Sequence, residues 1–246
     1  MTWKMVAHRD RKTTLGTRSV KVVLALLAVA VLLAAYIYPI VGTKPITTAR
    51  FGSFVNGLLT TLLPFVGILL GYNAVVSERE SGAILLSLSQ PRSRKDVVLG
   101  KYASRTGIVA TTILLAMIGA GILVVYPFGE LQPLRFLAFL VCTIVFGAIW
   151  CGIGVATSLA AATKRRALVL GFGLVFLFVI VWDTMATVLE IGLTAVGVID
   201  GNLPGVVRVL LALKPGHSYR RVTAGFVDPS SPVDGPWYLN EWVALV

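Results

Sequence analysis

The chain has 246 residues, 57% of them apolar and only 13% charged, with a mean hydropathy of +0.86. Soluble domains average roughly a quarter charged residues, so this composition excludes a water-soluble globular domain and points to an integral membrane protein. The net charge of +11 does not call for nucleic acid as a partner, because the Lys and Arg residues fall in the gaps between apolar runs, where membrane topology accounts for them.

Met1–Lys21 carries Lys4, Arg9, Arg11, Lys12, Arg18 and Lys21 against Asp10 alone. With Trp3, Met5, Val6 and Leu15 it predicts a basic amphipathic helix in the membrane interface, turning at Gly16; an unstructured basic tail is the alternative. Val22–Tyr38 follows as a first spanning helix, ~17 residues long and within the range that crosses a bilayer. Pro39–Ser53, with Gly42, Lys44, Pro45 and Arg50, is expected to be a short loop, and Phe54–Val76 the second span. Ser77–Arg105 is the one long polar interruption, a connector expected to face the cytoplasm.

Thr106–Tyr126 is the third span, Pro127–Arg135 a tight turn, and Phe136–Ala162 a fourth span ending at Lys164, Arg165 and Arg166. The fifth runs from Ala167 to Trp182, where Asp183 interrupts the apolar run. Residues 183–240 form an outer segment. Within it Asn202–Lys214, bounded by prolines and too short to span, is expected to be interfacial or re-entrant. Leu239–Val246 looks like the first two turns of a sixth span, which is expected to continue past the end of this sequence because so short a run cannot cross a ~30 Å core. The fold class is therefore all-α and multi-pass, with residues 1–21 as an interfacial helix, 22–246 as the membrane domain and 77–105 as its cytoplasmic connector.

With the N-terminus inside, fifteen Lys and Arg lie on the inner side and seven on the outer (Lys44, Arg50, Arg135, Arg208, Lys214, Arg220 and Arg221). The positive-inside bias thus selects a cytoplasmic N-terminus in the plasma membrane.

Catalytic signatures are absent. The Gly100–Lys101 pair has Lys95 at the first glycine position of a phosphate-binding loop and Tyr102 after the lysine, so no such loop forms. His8 and His217 lie on opposite sides of the membrane in the expected topology, and Cys142 and Cys151, nine residues or about two and a half helical turns apart, point to opposite faces. No nucleophile–base pair or metal cluster emerges, and the chain is not expected to be an enzyme or to hold a cofactor.

The connector carries the specific signal. Glu78-Arg79-Glu80-Ser81-Gly82, then Leu85, Leu86, Pro91, Ser93-Arg94 and Leu99-Gly100-Lys101, resembles the signature between the second and third spans of ABC-2-type transporter permeases, although Ala83 stands where threonine is usual. Arg9-Asp10 in a basic N-terminal helix and the order of spans agree with that family. The long outer segment resembles in particular the permease subunits found with nitrous oxide reductase maturation systems.

The resemblance implies an exporter-like (type V) permease fold. It implies a coupling helix over Glu78 to Leu88 that docks on a separate nucleotide-binding ATPase subunit holding ATP and Mg, and two permease chains, identical or related, in the assembly. Read from the residues alone, Glu78, Arg79 and Glu80 offer charges to a partner beneath the membrane. Ser81-Gly82 breaks the helix, and Arg92, Arg94 and Lys95 hold the returning strand near anionic lipid, with Pro91, Gly100 and Lys101 as the other anchors of the loop. Asn56, Asn73, Asp183 and Glu190 are candidates for a substrate path. A membrane scaffold or channel that needs no ATPase is the alternative.

Overall fold

The structure, a computed structural model, describes residues 2–42, 44–82, 93–126, 129–195 and 214–227. Its elements are α1 (Thr2–Gly16), α2 (Arg18–Val41), α3 (Thr48–Gly71), α4 (Val76–Glu80), α5 (Arg94–Val125), α6 (Pro133–Ala160), α7 (Lys164–Val175), a π-helical stretch (Phe176–Val181), α8 (Trp182–Ala195) and α9 (Pro215–Val227). Among the described residues no strand forms beyond an isolated bridge between Thr47 and Glu130. Among the described residues four helical stretches are long and apolar enough to cross a membrane: Arg18–Val41, Thr48–Glu80, Lys95–Val125 and Pro133–Ala160.

The chain packs around one crossing, that of α3 on α6. Glycine makes it possible: a β-carbon on Gly71 would lie 2.6 Å from the Gly154 backbone, and one on Gly67 2.6 Å from the Trp150 β-carbon. Small residues that let backbones touch are the usual means of helix association in lipid, where apolar burial gives little advantage over contact with acyl chains. Phe51, Leu59, Leu63, Ile68, Phe146 and Trp150 are fully buried around this axis, and Leu27, Val31 and Met117 extend the core onto α2 and α5.

Both ends of the bundle are tied. At the end away from α1, the α2–α3 and α5–α6 links share backbone hydrogen bonds: Thr48 N–H donates to Glu130 O at 3.1 Å and Glu130 N–H to Ile46 O at 2.9 Å. The Gln132 N–H also donates to Thr48 Oγ1 at 2.9 Å. At the α1 end, the turn at residues 72–75 between α3 and α4 would leave amides without acceptors. Ser158 Oγ, fully buried on α6, accepts from both Val75 N and Val76 N, at 2.9 and 3.0 Å, as the ends of broken helices require.

Helix boundaries depart from the hydropathy expectation in a consistent direction. The polar stretch Ser77–Arg105, expected as a connector, is helical at both described ends, because α5 starts at Arg94 rather than Thr106. Ser93 caps it, its Oγ accepting from Asp96 N at 3.1 Å. The Pro39–Ser53 loop shrinks to the residues between Val41 and Thr48, since Pro39 is accommodated in the last turn of α2. Asp183 does not end its helix: α7, the π stretch and α8 form one continuous rod to Ala195, because aspartate in a helix interior costs only a few tenths of a kcal/mol more than its neighbours, about 0.7 at most relative to Ala. Leu85, Leu86, Pro91, Arg92, the apolar part of Asn202–Lys214 and Leu239–Val246 lie outside the described residues.

Candidate functional site

The three charged residues of α4 each engage a different neighbour. The Glu78 carboxylate pairs with Lys101 of α5, Nζ to Oε1 2.7 Å. Arg79 Nη1 donates to Ala161 O at 3.1 Å and Leu159 O at 3.4 Å, carbonyls at the C-terminus of α6. Glu80 Oε1 accepts from the Lys164 backbone N–H at 2.7 Å, at the first residue of α7.

The signs fit the helix dipoles. A helix C-terminus presents carbonyls and partial negative charge, and it receives the guanidinium; a helix N-terminus presents amides and partial positive charge, and it receives the carboxylate. Two adjacent residues of opposite charge thus clamp the two sides of the α6–α7 corner. The Lys164 ammonium adds little, lying 3.9 Å from Glu80 Oε2 with both side chains well exposed.

Lys101 carries the linkage onward to α1. It is 4% exposed and lies 3.6 Å from Asp10 Oδ1 as well as 2.7 Å from Glu78. Arg105, one turn further along α5, reaches the same Asp10, Nε to Oδ2 3.1 Å and Nη2 to Oδ1 3.2 Å. Glu78, Lys101, Asp10 and Arg105 therefore form a neutral four-charge chain tying α4, α5 and α1. Neutrality is what lets such groups be buried. Gly100 completes the docking, since a β-carbon there would come within 2.8 Å of Trp3 O and Val6 on α1.

The remaining expected site residues divide. Ser81 closes α4, and Gly82 has φ +71°, the left-handed conformation that glycine adopts without strain. Arg94 and Lys95 fall in the first turn of α5. Asn56 and Asn73 do not share a site: they sit seventeen positions apart on the α3–α4 stretch, roughly 25 Å by helical rise. Asn56 Nδ2 donates to Thr223 Oγ1 of α9 at 2.8 Å, whereas Asn73 lies in the turn before α4. Asp183 and Glu190 are on α8.

Helix α9 is a feature that hydropathy missed. It packs against α6, α3 and the π stretch. The Tyr219 ring stacks on Phe146 with centroids 4.5 Å apart and planes at 13°, and its hydroxyl lies 2.8 Å from Thr143 Oγ1. Its signals were a proline at the first helical position and Tyr219, Val222, Thr223 and Phe226 at helical spacing. The Arg220-Arg221 pair masked them in any search for apolar runs. A cavity of about 120 Å³ opens beside it, between α3, α6 and the π stretch, walled by Trp150 and Phe178 and edged by Lys214 and Arg220.

A family model described as ABC-2 family transporter protein matches residues 4–246. The chain is 29% identical over 193 residues to a probable ABC transporter permease protein NosY of Pseudomonas aeruginosa, covering 76% of this chain and 66% of the relative. It is likewise 29% identical over 194 residues to a protein of the same description from Stutzerimonas stutzeri, with the same two coverages. The chain thus spans about two thirds of the length of the curated relatives it matches. With a family match over nearly its whole length and four apolar helices built to cross a bilayer, the chain belongs to the ABC-2 family of transporter proteins.

Proposed function

We propose that the chain is the transmembrane permease subunit of an exporter whose energy comes from ATP and Mg bound on a separate nucleotide-binding subunit. A second permease chain, identical or related, would complete the assembly. Its α1 end faces the cytoplasm of a plasma-membrane protein, as the fifteen-to-seven distribution of Lys and Arg argues. The rod from Lys164 to Ala195 serves as a fifth span.

The observation that carries this reading is the division of labour in α4. Three consecutive residues hold α5, the end of α6 and the start of α7, and they open the Glu78 to Leu88 segment, Leu85 and Leu86 included, that by the resemblance docks on the motor. A push on that segment reaches the spans through short charge-assisted bonds rather than through one flexible strand. Glu78, Arg79 and Glu80 are then the transmission, and the segment beyond Gly82 is the grip.

The test is Glu80→Lys in the reconstituted complex. It removes the acceptor at the α7 N-terminus and puts a cation against Lys164. ATP hydrolysis should persist while transport per ATP falls about tenfold, the size of a coupling of 1–2 kcal/mol. Unchanged transport per ATP removes α4 from the transmission path. Purification of the chain with no Walker-motif subunit, under conditions that preserve the permease, would favour a scaffold or channel instead.

A further inference from the structure

We infer that the outward face of α1 is a docking surface for the headgroups of anionic phospholipid. Lys4, His8, Arg11 and Lys12 fall at i, i+4, i+7 and i+8, the spacing of one helical face, and all four are exposed. Arg9 is exposed beside them, and Arg18 and Lys21 follow, also exposed, in the first turn of α2.

The inward face of α1 is taken up by the protein. Asp10, the one acid among residues 1–21, turns to Lys101 and Arg105 of α5, while Val6 and the Trp3 carbonyl lie against Gly100. Thr14 is buried and Leu15 packs against the core. What remains outside is cationic. Among the described residues no carboxylate pairs with Lys4, Arg9, Arg11, Lys12, Arg18 or Lys21. The Lys4 ammonium lies 5.8 Å from the centroid of the Trp3 ring, a contact that leaves its charge uncompensated.

Position and chemistry select the occupant. Thr17 alone separates α1 from α2, a helix long and apolar enough to cross a membrane, so α1 lies where that span leaves the hydrocarbon. Anionic headgroups attract Lys and Arg at that level. With Val6 and Leu15 packed on the protein, only Trp3 and Met5 of the four apolar residues expected to enter the interface stay open, at 38% and 61% exposure. Two side chains hold a helix weakly on neutral lipid, so charge has to supply the attraction. An acidic protein surface would meet the cations as well, but it gives no reason for an open indole at headgroup level, where indole rings are favoured. Headgroup binding does not depend on the permease function proposed above.

Native mass spectrometry of the full chain in neutral detergent, with dioleoylphosphatidylglycerol and dioleoylphosphatidylcholine as probes, tests the charge. Phosphatidylglycerol should bind more tightly, and its advantage should shrink as salt rises, because exposed charges are screened. Lys12→Gln should weaken phosphatidylglycerol binding about fivefold, the scale of one cation at an anionic surface. Lys4→Gln, Arg11→Gln and Lys12→Gln together should weaken it roughly a hundredfold if the three act independently, with phosphatidylcholine unchanged. Glutamine keeps the helix propensity of Lys and Arg, so the triple variant should unfold at the same temperature. Lys44→Gln, which alters an exposed cation at the far end of the bundle, should change neither lipid.

Hydrogen exchange in nanodiscs supplies a local readout. Residues 2–16 should exchange more slowly when phosphatidylglycerol replaces part of the phosphatidylcholine. Equal binding of the two lipids, or a phosphatidylglycerol preference that survives both the triple variant and high salt, overturns the assignment. Protection of residues 2–16 by soluble polyglutamate and not by phosphatidylglycerol would give the face to an acidic protein instead. Equal protection by inorganic phosphate would likewise remove the lipid.

Discussion

The α1 end of the bundle and the α9 face solve the same problem, holding polar groups inside a membrane protein, by opposite means. At the α1 end four formal charges, Glu78, Lys101, Asp10 and Arg105, neutralise one another in a chain of contacts from 2.7 to 3.6 Å. Where α9 meets α6 and α3 neutral contacts stand out: Tyr219 with Thr143, Asn56 with Thr223, and an aromatic stack. Depth explains the difference. Near the membrane surface water keeps an ion pair affordable and responsive to what binds there, whereas at the bilayer centre only hydroxyls, amides and rings pack without heavy desolvation.

The contrast predicts unequal costs. Lys101→Met should produce the largest loss, because it strips the shared partner from two acids. About 3 kcal/mol is expected, the low end for breaking a buried pair, since Asp10 keeps Arg105 and Glu78 keeps some access to water. The readouts are a lowered unfolding temperature in detergent and faster proteolysis within residues 2–16 as α1 loosens from Gly100. An unaltered cleavage rate would mean that α1 is held by its apolar contacts alone.

Gly71→Val acts on the crossing that joins the two regions. Its side chain would have to displace the Gly154 backbone, which a β-carbon already approaches to 2.6 Å. A loss of about 2 kcal/mol is expected, within the range for overpacking a tight core, with both ends of the bundle weakened together. A loss confined to one end, read by hydrogen exchange, would show that α3 and α6 transmit nothing between them.

How much of this could be read in advance follows from what hydropathy measures. Apolar length located Arg18–Val41 and Pro133–Ala160 within a few residues, since a span announces itself by twenty apolar side chains in a row. It stopped α5 twelve residues short, because Arg94, Lys95, Asp96 and Lys101 look like loop to a hydropathy count although Ser93 and Asp96 write a helix start. The Glu-Arg-Glu motif was recognisable, but its partners were not: Leu159, Ala161 and the Lys164 amide are backbone groups some eighty residues away, and nothing in their side chains marks them. Ser158 and Thr143 were invisible for the same reason, since a lone hydroxyl in an apolar run carries no address.

The smallest expected effect is at Tyr219, and it tests the neutral side of the comparison most directly. Thr143 Oγ1 donates to Phe139 O at 2.8 Å, so its one proton is committed and Tyr219 must donate to Thr143 rather than accept. Tyr219→Phe then removes the donor and leaves Thr143 with its own bond intact, while the ring stays stacked on Phe146. The cost should be about 1 kcal/mol, that of a single buried neutral hydrogen bond. Thr143→Val removes the acceptor and strands the phenol at a buried position, so it should cost more than Tyr219→Phe. The double variant should recover part of that excess, because the coupling in the cycle is the hydrogen bond itself. Additive losses would mean that α9 is held by stacking alone, and the neutral face of the molecule would then owe its order to aromatic contact instead of to polar pairing.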